Sequence, residues 1–133
     1  MTVKVILDTN FLFIPFQFQI DIFEELMALL NQKFEPVLLS VTHKELQRIA
    51  EKGPPEMRRR ASLALRLAEK CRILEVEQGF GETPDDVIAR VAAEWRCPVA
   101  TNDRALRKRL RDENVPVIYL RERSRLEMEG SIQ

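Results

Sequence analysis

The chain is poor in the residues on which several large protein classes depend. Of its 133 residues, only four are glycine, two are cysteine and one is histidine. Without a Gly-rich loop or dinucleotide fingerprint, the sequence disfavours a P-loop or Rossmann nucleotide site. No serine or cysteine stands in a recognisable nucleophile elbow, and the single His43 disfavours a His-activated nucleophile.

Long apolar runs and a net charge are missing as well. No apolar stretch reaches the roughly 20 residues of a transmembrane helix, and the N-terminal run is too short for a signal peptide, so we expect no membrane partner. Cys71 and Cys97 lack metal-ligand spacing and are interpreted as buried thiols in a reducing cytoplasm. The 21 basic and 21 acidic residues cancel, so net charge does not argue for or against nucleic acid.

What the chain does contain is an alternation of short apolar runs with amphipathic stretches. Strands are predicted at 3–7, 36–39, 72–76, 97–100 and 115–120, and helices at 21–31, 42–51, 56–70, 83–95 and 103–113. Strands that alternate with helices form a parallel sheet with right-handed crossovers. We therefore expect a doubly wound α/β domain over residues 1–120, followed by a charged, frayed C-terminal tail over residues 121–133.

Acidic residues recur where the predicted strands end or the predicted helices begin. They are Asp8, Glu45, the adjacent pair Asp85 and Asp86, and Asp103. In a parallel α/β sheet such points lie along one edge, outside the carboxyl ends of the strands. Carboxylates gathered there repel one another unless a hard cation neutralises them, and oxygen ligands select Mg²⁺ or Mn²⁺. The sequence therefore predicts a metal site at this edge, where Asn10 offers a further polar group.

Most of these acids also have a purely structural interpretation as helix caps. The candidates are Thr42 with Glu45 as a capping box, Thr83 with Pro84 and the two aspartates as a helix start, and Asn102 or Asp103 before the next helix. Asp8 differs, because it directly follows a hydrophobic strand, where an acid is costly unless paired or metal-bound. The recurrence at equivalent topological points favours a shared site.

Basic side chains are concentrated on the predicted helix after Asp103. Those that share one face at helical spacing are Arg104, Arg107, Lys108 and Arg111. They are interpreted either as a track for a phosphate backbone that leads to the acidic site or as a solvated face with ion pairs. The aromatic segment 11–18, which Pro15 is expected to break, is either core or part of a homodimer surface.

Four motifs, taken in order, resemble the PIN domain. They are Leu7-Asp8-Thr9-Asn10-Phe11, Glu45 in the second helix, Thr83-Pro84-Asp85-Asp86, and Thr101-Asn102-Asp103-Arg104. The resemblance extends to about Leu120 and is greatest to the ribosome-assembly branch, with the toxins of toxin–antitoxin pairs as relatives. It implies a parallel sheet in the order 3-2-1-4-5 with helices on both sides.

The resemblance also implies Mg²⁺- or Mn²⁺-dependent endonucleolytic hydrolysis of single-stranded RNA. By position, Asp8, Glu45 and Asp103 match the metal-binding acids of the family. The third acid falls on Asp85 or Asp86, with Asp85 slightly favoured by its spacing to the small residues that follow. Asn10 and Thr101 match supporting polar positions. No position of the acidic set is missing, so the resemblance implies an active enzyme.

Several functions stay open on the sequence alone. A ribonuclease of this kind serves in rRNA processing with a ribosome-assembly partner, or acts as a toxin held by an antitoxin. A different enzyme class is an aspartyl-phosphate phosphatase with Asp8 as its nucleophile, although Asn10 stands where a second Asp is usual. The third class is a non-catalytic module that binds RNA or a protein partner.

Overall fold

A six-stranded sheet forms the centre of the molecule. The computed structural model describes residues 2–132, with strands β1 Val3–Leu7, β2 Phe34–Leu39, β3 Arg72–Leu74, β4 Val99–Ala100, β5 Val117–Arg121 and β6 Arg125–Glu129. The strand order is β3-β2-β1-β4-β5-β6. All neighbours are parallel except β6, which runs antiparallel to β5. The predicted parallel order is confirmed, and the antiparallel sixth strand was not predicted.

Helices cover both faces of this sheet. They are α1 Ile14–Phe18, α2 Ile22–Leu30, α3 Ser40–Lys52, α4 Pro55–Ala68, α5 Pro84–Trp95 and α6 Arg104–Asp112, with a 3₁₀ segment at Thr9–Phe13. Successive residues of β1 face opposite sides, so Val5 and Leu7 join one core while Ile6 joins the other. All three side chains are fully buried, which explains why this strand is a continuous apolar run. Within residues 2–132, no helix combines the length and apolarity that crossing a bilayer requires.

The carboxyl ends of the parallel strands meet at one edge. Asp8 follows the central strand β1, helix α3 starts directly after β2, and Thr101 follows β4. Because β1 lies between β2 and β4 in the sheet, these three points are neighbours. The sheet order therefore brings residues that are distant in the sequence to one place.

The C-terminal segment is the largest departure from the sequence-based expectation. Residues Arg125–Glu129 are not frayed but pair with β5 as strand β6. Leu126 is 5% exposed, and both it and Met128 pack on the core at the period of two that a strand requires. The expectation failed because the charged residues that alternate with these two apolar positions dominate the local composition. Gln133 lies outside the described residues.

The start of α3 also differs from the prediction. The helix begins at Ser40, two residues before Thr42, and its N-cap residue Leu39 makes no side-chain capping bond. Thr42 therefore lies inside the first turn, with a buried hydroxyl that finds no hydrogen-bond partner among residues 2–132. The predicted capping box of Thr42 and Glu45 is wrong, because β2 runs straight into the helix without a separate cap.

Most of the aromatic segment is core. Phe11 is fully buried and Phe13 is 8% exposed, whereas Phe16 is 40% exposed. Pro15 does not break the segment but lies in the first turn of α1, where its missing N–H costs no hydrogen bond.

The two cysteines are free thiols that are buried or half-buried. Cys97 is buried and Cys71 is half-buried. Burial raises the pKa of each thiol to about 11, so both stay protonated at neutral pH. This agrees with their interpretation as structural thiols; the reducing cytoplasm stays a prediction.

Candidate active site

Asp8 is the buried centre of the polar edge. Its side chain is 7% exposed and accepts a hydrogen bond of 2.8 Å from the Thr9 N–H. The Thr101 hydroxyl donates to its other oxygen at 2.7 Å. Burial raises the pKa of Asp8 to about 6 although both hydrogen bonds lower it, and the nearby charges of Asp85 and Glu45 raise it further. Asp8 is thus held in place and partly desolvated.

A polar network ties the ends of three strands together. Thr101 is fully buried, and its hydroxyl accepts a bond of 3.1 Å from the Asp103 N–H. The Asn10 side-chain oxygen accepts from the Asn102 N–H at 3.0 Å. The Asn102 side-chain oxygen in turn accepts from the Leu120 N–H on β5 at 2.8 Å. These bonds fix the loops that carry the acids. Asn10 and Thr101, the two predicted supporting residues, both take part in the network.

Two further acids reach this edge from helices. Asp103 is the N-cap of α6 and accepts a bond of 2.9 Å from the Leu106 N–H. Glu45, in the second turn of α3, accepts a bond of 3.1 Å from the Thr9 hydroxyl. Glu45 therefore contacts the segment after β1 instead of capping its own helix. No local pattern predicts the contact with Thr9, because 36 residues separate the two.

Asp86 is committed to structural bonds. Thr83 and Asp86 form a reciprocal capping box at the start of α5, with the Thr83 N–H donating to the carboxylate at 2.8 Å. Arg109 of α6 donates to the other carboxylate oxygen at 2.5 Å. The Arg109 guanidinium and the bonds from Thr83 lower the pKa of Asp86 to about 2. One oxygen of Asp86 thus caps α5, and the other joins α5 to α6.

Asp85 has the opposite electrostatic surroundings. Burial raises its pKa first, and the charges of Asp103 and Glu45 raise it further, against the opposing effect of Arg109. Asp8 responds in turn to the charge of Asp85. Through these mutual effects the four acids Asp8, Glu45, Asp85 and Asp103 share one negative field.

The donor set fits a hard cation in its chemistry. Carboxylate oxygens with an excess of negative charge are the ligands that Mg²⁺ and Mn²⁺ select, and a cation would relieve the repulsion that raises these pKa values. As the side chains stand, no group of three or more His, Cys, Asp or Glu residues between 2 and 132 has converged to ligand distance. Side-chain rotation toward the ion is therefore part of any binding event.

The basic face of α6 is partly neutralised by β6. Arg107 and Arg111 contact the Glu129 carboxylate at 2.7 and 3.7 Å, and the Arg107 guanidinium lies 3.7 Å from the centre of the Tyr119 ring. Lys108 pairs with its helical neighbour Asp112 at 3.0 Å. In the part of the chain that the structure describes, Arg104 makes no ion pair. The four basic residues and Glu129 line an open depression of about 490 Å³.

The part of the chain that carries this site matches a known protein family. The model of the PIN like domain family matches residues 5–123, which include all the acids of the site. The chain belongs to the PIN-like domain family. The resemblance carried by the four sequence motifs is therefore confirmed.

Relatives of this PIN domain come from both branches that the motifs indicated. Ribonuclease VapC4 of Methanocaldococcus jannaschii is 32% identical over 130 residues, covering 97% of this chain and 98% of that protein. The rRNA-processing protein fcf1 of Schizosaccharomyces pombe is 32% identical over 117 residues, with 86% and 57% covered. The rRNA-processing protein FCF1 of Saccharomyces cerevisiae is 31% identical, with 81% and 54% covered. The chain spans just over half the length of these two processing proteins.

Solved structures give the same result. The structure of the PIN domain endonuclease Utp24 superposes with a TM-score of 0.80 at 31% identity, covering 97% of this chain and 92% of that one. The chain in the crystal structure of VapBC2 from Rickettsia felis, bound to a promoter DNA fragment, has a TM-score of 0.65 at 16% identity. The superposition covers 90% of this chain and 100% of the VapBC2 chain. At 16% identity, the likeness shows the shared fold alone.

Proposed function

We propose that this PIN domain is a Mg²⁺- or Mn²⁺-dependent endoribonuclease that hydrolyses phosphodiester bonds of single-stranded RNA. The observation that carries the proposal is that three acids, Glu45, Asp85 and Asp103, share one negative field with a nearly buried Asp8 at the carboxyl edge of the sheet. Such a cluster gains free energy when a hard cation binds. The names of the relatives, a ribonuclease, two rRNA-processing proteins and an endonuclease, support RNA as the substrate.

The acids divide into ligands and a structural residue. Asp8, Asp85 and Asp103 are the proposed ligands, with Asp8 oriented by its bonds from Thr9 and Thr101. A metal ion bound there supplies a water of lowered pKa and stabilises the charge that develops on the phosphate. Asp86 is proposed to stay outside the ligand set, because its oxygens already bind Arg109 and the backbone of α5.

Glu45 is proposed to act on the attacking water. Its bond to the Thr9 hydroxyl places it beside Asp8, and its charge raises the pKa of that residue. A carboxylate in this position orients a water or accepts its proton, which an amide does poorly. Hydrolysis by such a water would leave a 5′-phosphate and a 3′-hydroxyl on the RNA fragments.

A specific observation favours rRNA processing as the setting. Two relatives, 32% and 31% identical to this chain, are named as rRNA-processing proteins. We therefore propose a ribosome-assembly partner and a cytoplasmic location. The second candidate is a toxin, which the identity to Ribonuclease VapC4 supports. A toxin would be neutralised by a small protein encoded beside it, whereas a processing enzyme would not.

The test is to incubate the full chain with end-labelled, mixed-sequence RNA oligonucleotides in Mn²⁺, Mg²⁺ or EDTA and to map the fragment ends. We expect internal cuts in Mn²⁺ or Mg²⁺ and none in EDTA, with no cleavage by Asp8→Asn in any buffer. RNA binding of equal strength in all three buffers without cleavage would contradict the proposal and assign a non-catalytic binding module. Hydrolysis of a phosphomonoester without RNA cleavage would assign a phosphatase.

A further inference from the structure

Phe80 is the most exposed large apolar side chain in the described part of the chain. Its exposure is 109%, whereas the other large apolar residues at the surface, led by Met27 at 49%, keep at least half of their area covered. A single exposed apolar residue needs no explanation in itself. The backbone that carries Phe80 and its place in the fold are what give the exposure a meaning.

A tight turn holds Phe80 away from the protein. The Glu82 N–H donates to the Gly79 carbonyl at 3.0 Å, and Gly81 has φ of +79°. These features match a type II β-turn, in which the third position needs a positive φ and therefore glycine. Phe80 occupies the second position, at the outer corner. Phe80 is thus flanked by two glycines, and its ring is the only side chain among the first three residues of the turn.

The turn is braced at its base. The Glu82 carboxylate accepts a bond of 2.7 Å from the Gly79 N–H and is clamped by Arg90 of α5 at 3.0 and 3.1 Å. The same guanidinium donates to the Glu77 carbonyl at 2.7 Å. The ring is therefore presented on a fixed backbone, so little conformational entropy is lost when a ligand contacts it.

Phe80 is also close in the sequence to an acid of the proposed active site. It precedes Asp85 by five residues, so the two Cα atoms are at most about 18 Å apart. A single strand bound at the acids covers that distance in a few nucleotides. The surrounding glutamates, among them Glu75 and Glu77, make this turn unsuited to phosphate contacts, whereas the face of a base carries no net charge.

We propose that Phe80 is a stacking platform for one base of the single-stranded RNA that enters the site. The inference rests on the proposed function, since it takes RNA as the substrate. Proteins that hold single strands commonly stack bases on exposed aromatic rings, and such a contact tolerates any base. Phe80 would then position the strand, a few nucleotides away from the bond that is cut.

The first test compares RNA binding by wild type, Phe80→Ala, Phe80→Leu and Phe80→Trp, measured by fluorescence anisotropy in EDTA. We expect a roughly 5- to 150-fold loss of affinity for the alanine variant, a similar loss for leucine, and full retention for tryptophan. Because no charge is involved, the fold-loss should be the same at every salt concentration. Melting temperatures should be equal, because the ring makes no packing contact to lose.

A second measurement locates the stacked base. An abasic site is moved along the oligonucleotide, and each version is titrated with wild type and Phe80→Ala. At the stacked position the two losses should not add, because they remove the same contact. Fluorescence of 2-aminopurine at that position should be quenched by wild type and not by Phe80→Ala.

The outcomes separate this inference from the proposed function. Wild type and Phe80→Ala that bind and cleave RNA equally would overturn the stacking role and leave the ribonuclease in place. A leucine variant that binds like wild type would also overturn it, since an apolar contact without an aromatic face would then suffice. Association of wild type into a dimer that Phe80→Ala abolishes would assign the ring to a second copy of the chain instead. Failure of wild type both to bind any single strand and to cleave RNA in Mn²⁺ or Mg²⁺ would remove both proposals.

Discussion

Asp85 and Asp86 are adjacent in the chain, yet their carboxylates have opposite surroundings. The pKa of Asp85 is raised by burial and by neighbouring acids, and that of Asp86 is lowered to about 2 by Arg109 and the capping bonds. We predict that Asp85→Asn abolishes metal-dependent cleavage while the metal-free protein becomes equally or more stable. Asp86→Asn, which removes the same charge, should keep most of the activity and melt at a lower temperature.

Initial rates and metal-free melting curves of these two variants check the assignment. Loss of activity in Asp86→Asn with normal activity in Asp85→Asn would reverse the roles of the two residues. Equal loss in both variants would show that the ion pair with Arg109 is needed to place the ligand.

The second prediction at the residue scale concerns the buried carboxyl of Asp8. Its pKa of about 6 in the native state, raised first by burial, exceeds its ordinary value of 3.8. Between these values the native state holds a proton that the unfolded chain has lost, so Asp8 makes the free energy of unfolding fall as pH rises through this window. The decline is on the order of 3 kcal/mol and stays in place above pH 6.

Denaturant unfolding of wild type and Asp8→Asn in EDTA between pH 3.5 and 7, a window of about three units around the shift, measures this effect. The stability of wild type relative to the variant should fall across the window. Asp86 acts with the opposite sign, because its pKa of about 2 is lowered, but its contribution changes below about pH 4. A constant difference between the two proteins would mean that folding does not raise the pKa of Asp8.

Within the α6 element, the four basic residues are not equivalent. Arg104 makes no ion pair in the described chain, whereas Arg107 stacks on Tyr119 and pairs with Glu129. We predict that Arg104→Gln lowers the salt slope of RNA binding by about 0.7, the value for one phosphate of a single strand, without changing the melting temperature. Arg107→Gln should instead cost about 1 kcal/mol of stability. Identical salt slopes for wild type and Arg104→Gln would remove Arg104 from the RNA contact.

The sequence predicts an element well where its own residues decide the structure. Strand β1 is recognisable because it is buried on both faces, and the start of α5 because Thr83, Pro84 and Asp86 carry every signal of a helix N-terminus. Strand β6 was missed because its stability comes from pairing with β5, which local composition does not reveal. The contact of Glu45 was missed for the same reason, because its hydrogen-bond partner Thr9 lies on another element.

The candidate site divides in the same way. The positions of the acids follow from the sheet topology, which the alternation of strands and helices indicates. The spacing favours Asp85 over Asp86 only slightly, because the difference in their surroundings depends on Arg109 from a different helix. Arg109 lies off the basic face that the sequence singled out, so nothing in the spacing marked it.

At the scale of the whole molecule, the clustered acids should couple the stability of the fold to the binding of the proposed metal ion. A cation that binds only the native state stabilises it by about 2.7 kcal/mol at a hundredfold excess over its Kd. For a domain of this size that is a rise of about 10 °C in melting temperature. We predict such a rise in Mn²⁺ or Mg²⁺ for wild type and Asp86→Asn, and a much smaller one for Asp8→Asn and Asp85→Asn. A wild-type melting temperature that does not change on addition of Mn²⁺ or Mg²⁺ would contradict the metal site.

The hydrogen bond between Asp8 and Thr101 joins residues that are 93 positions apart in the sequence. This separation determines when the site can form while the ribosome synthesises the chain. Strand β1 is the central strand, but β4 and the loop that follows it emerge only after some hundred residues have been made. At about 5–20 residues per second, Asp8 waits roughly 5–20 s for Thr101 and Asp103 to appear. We therefore expect a nascent chain to be unable to cut the RNA around it, including the message and the ribosome that produce it.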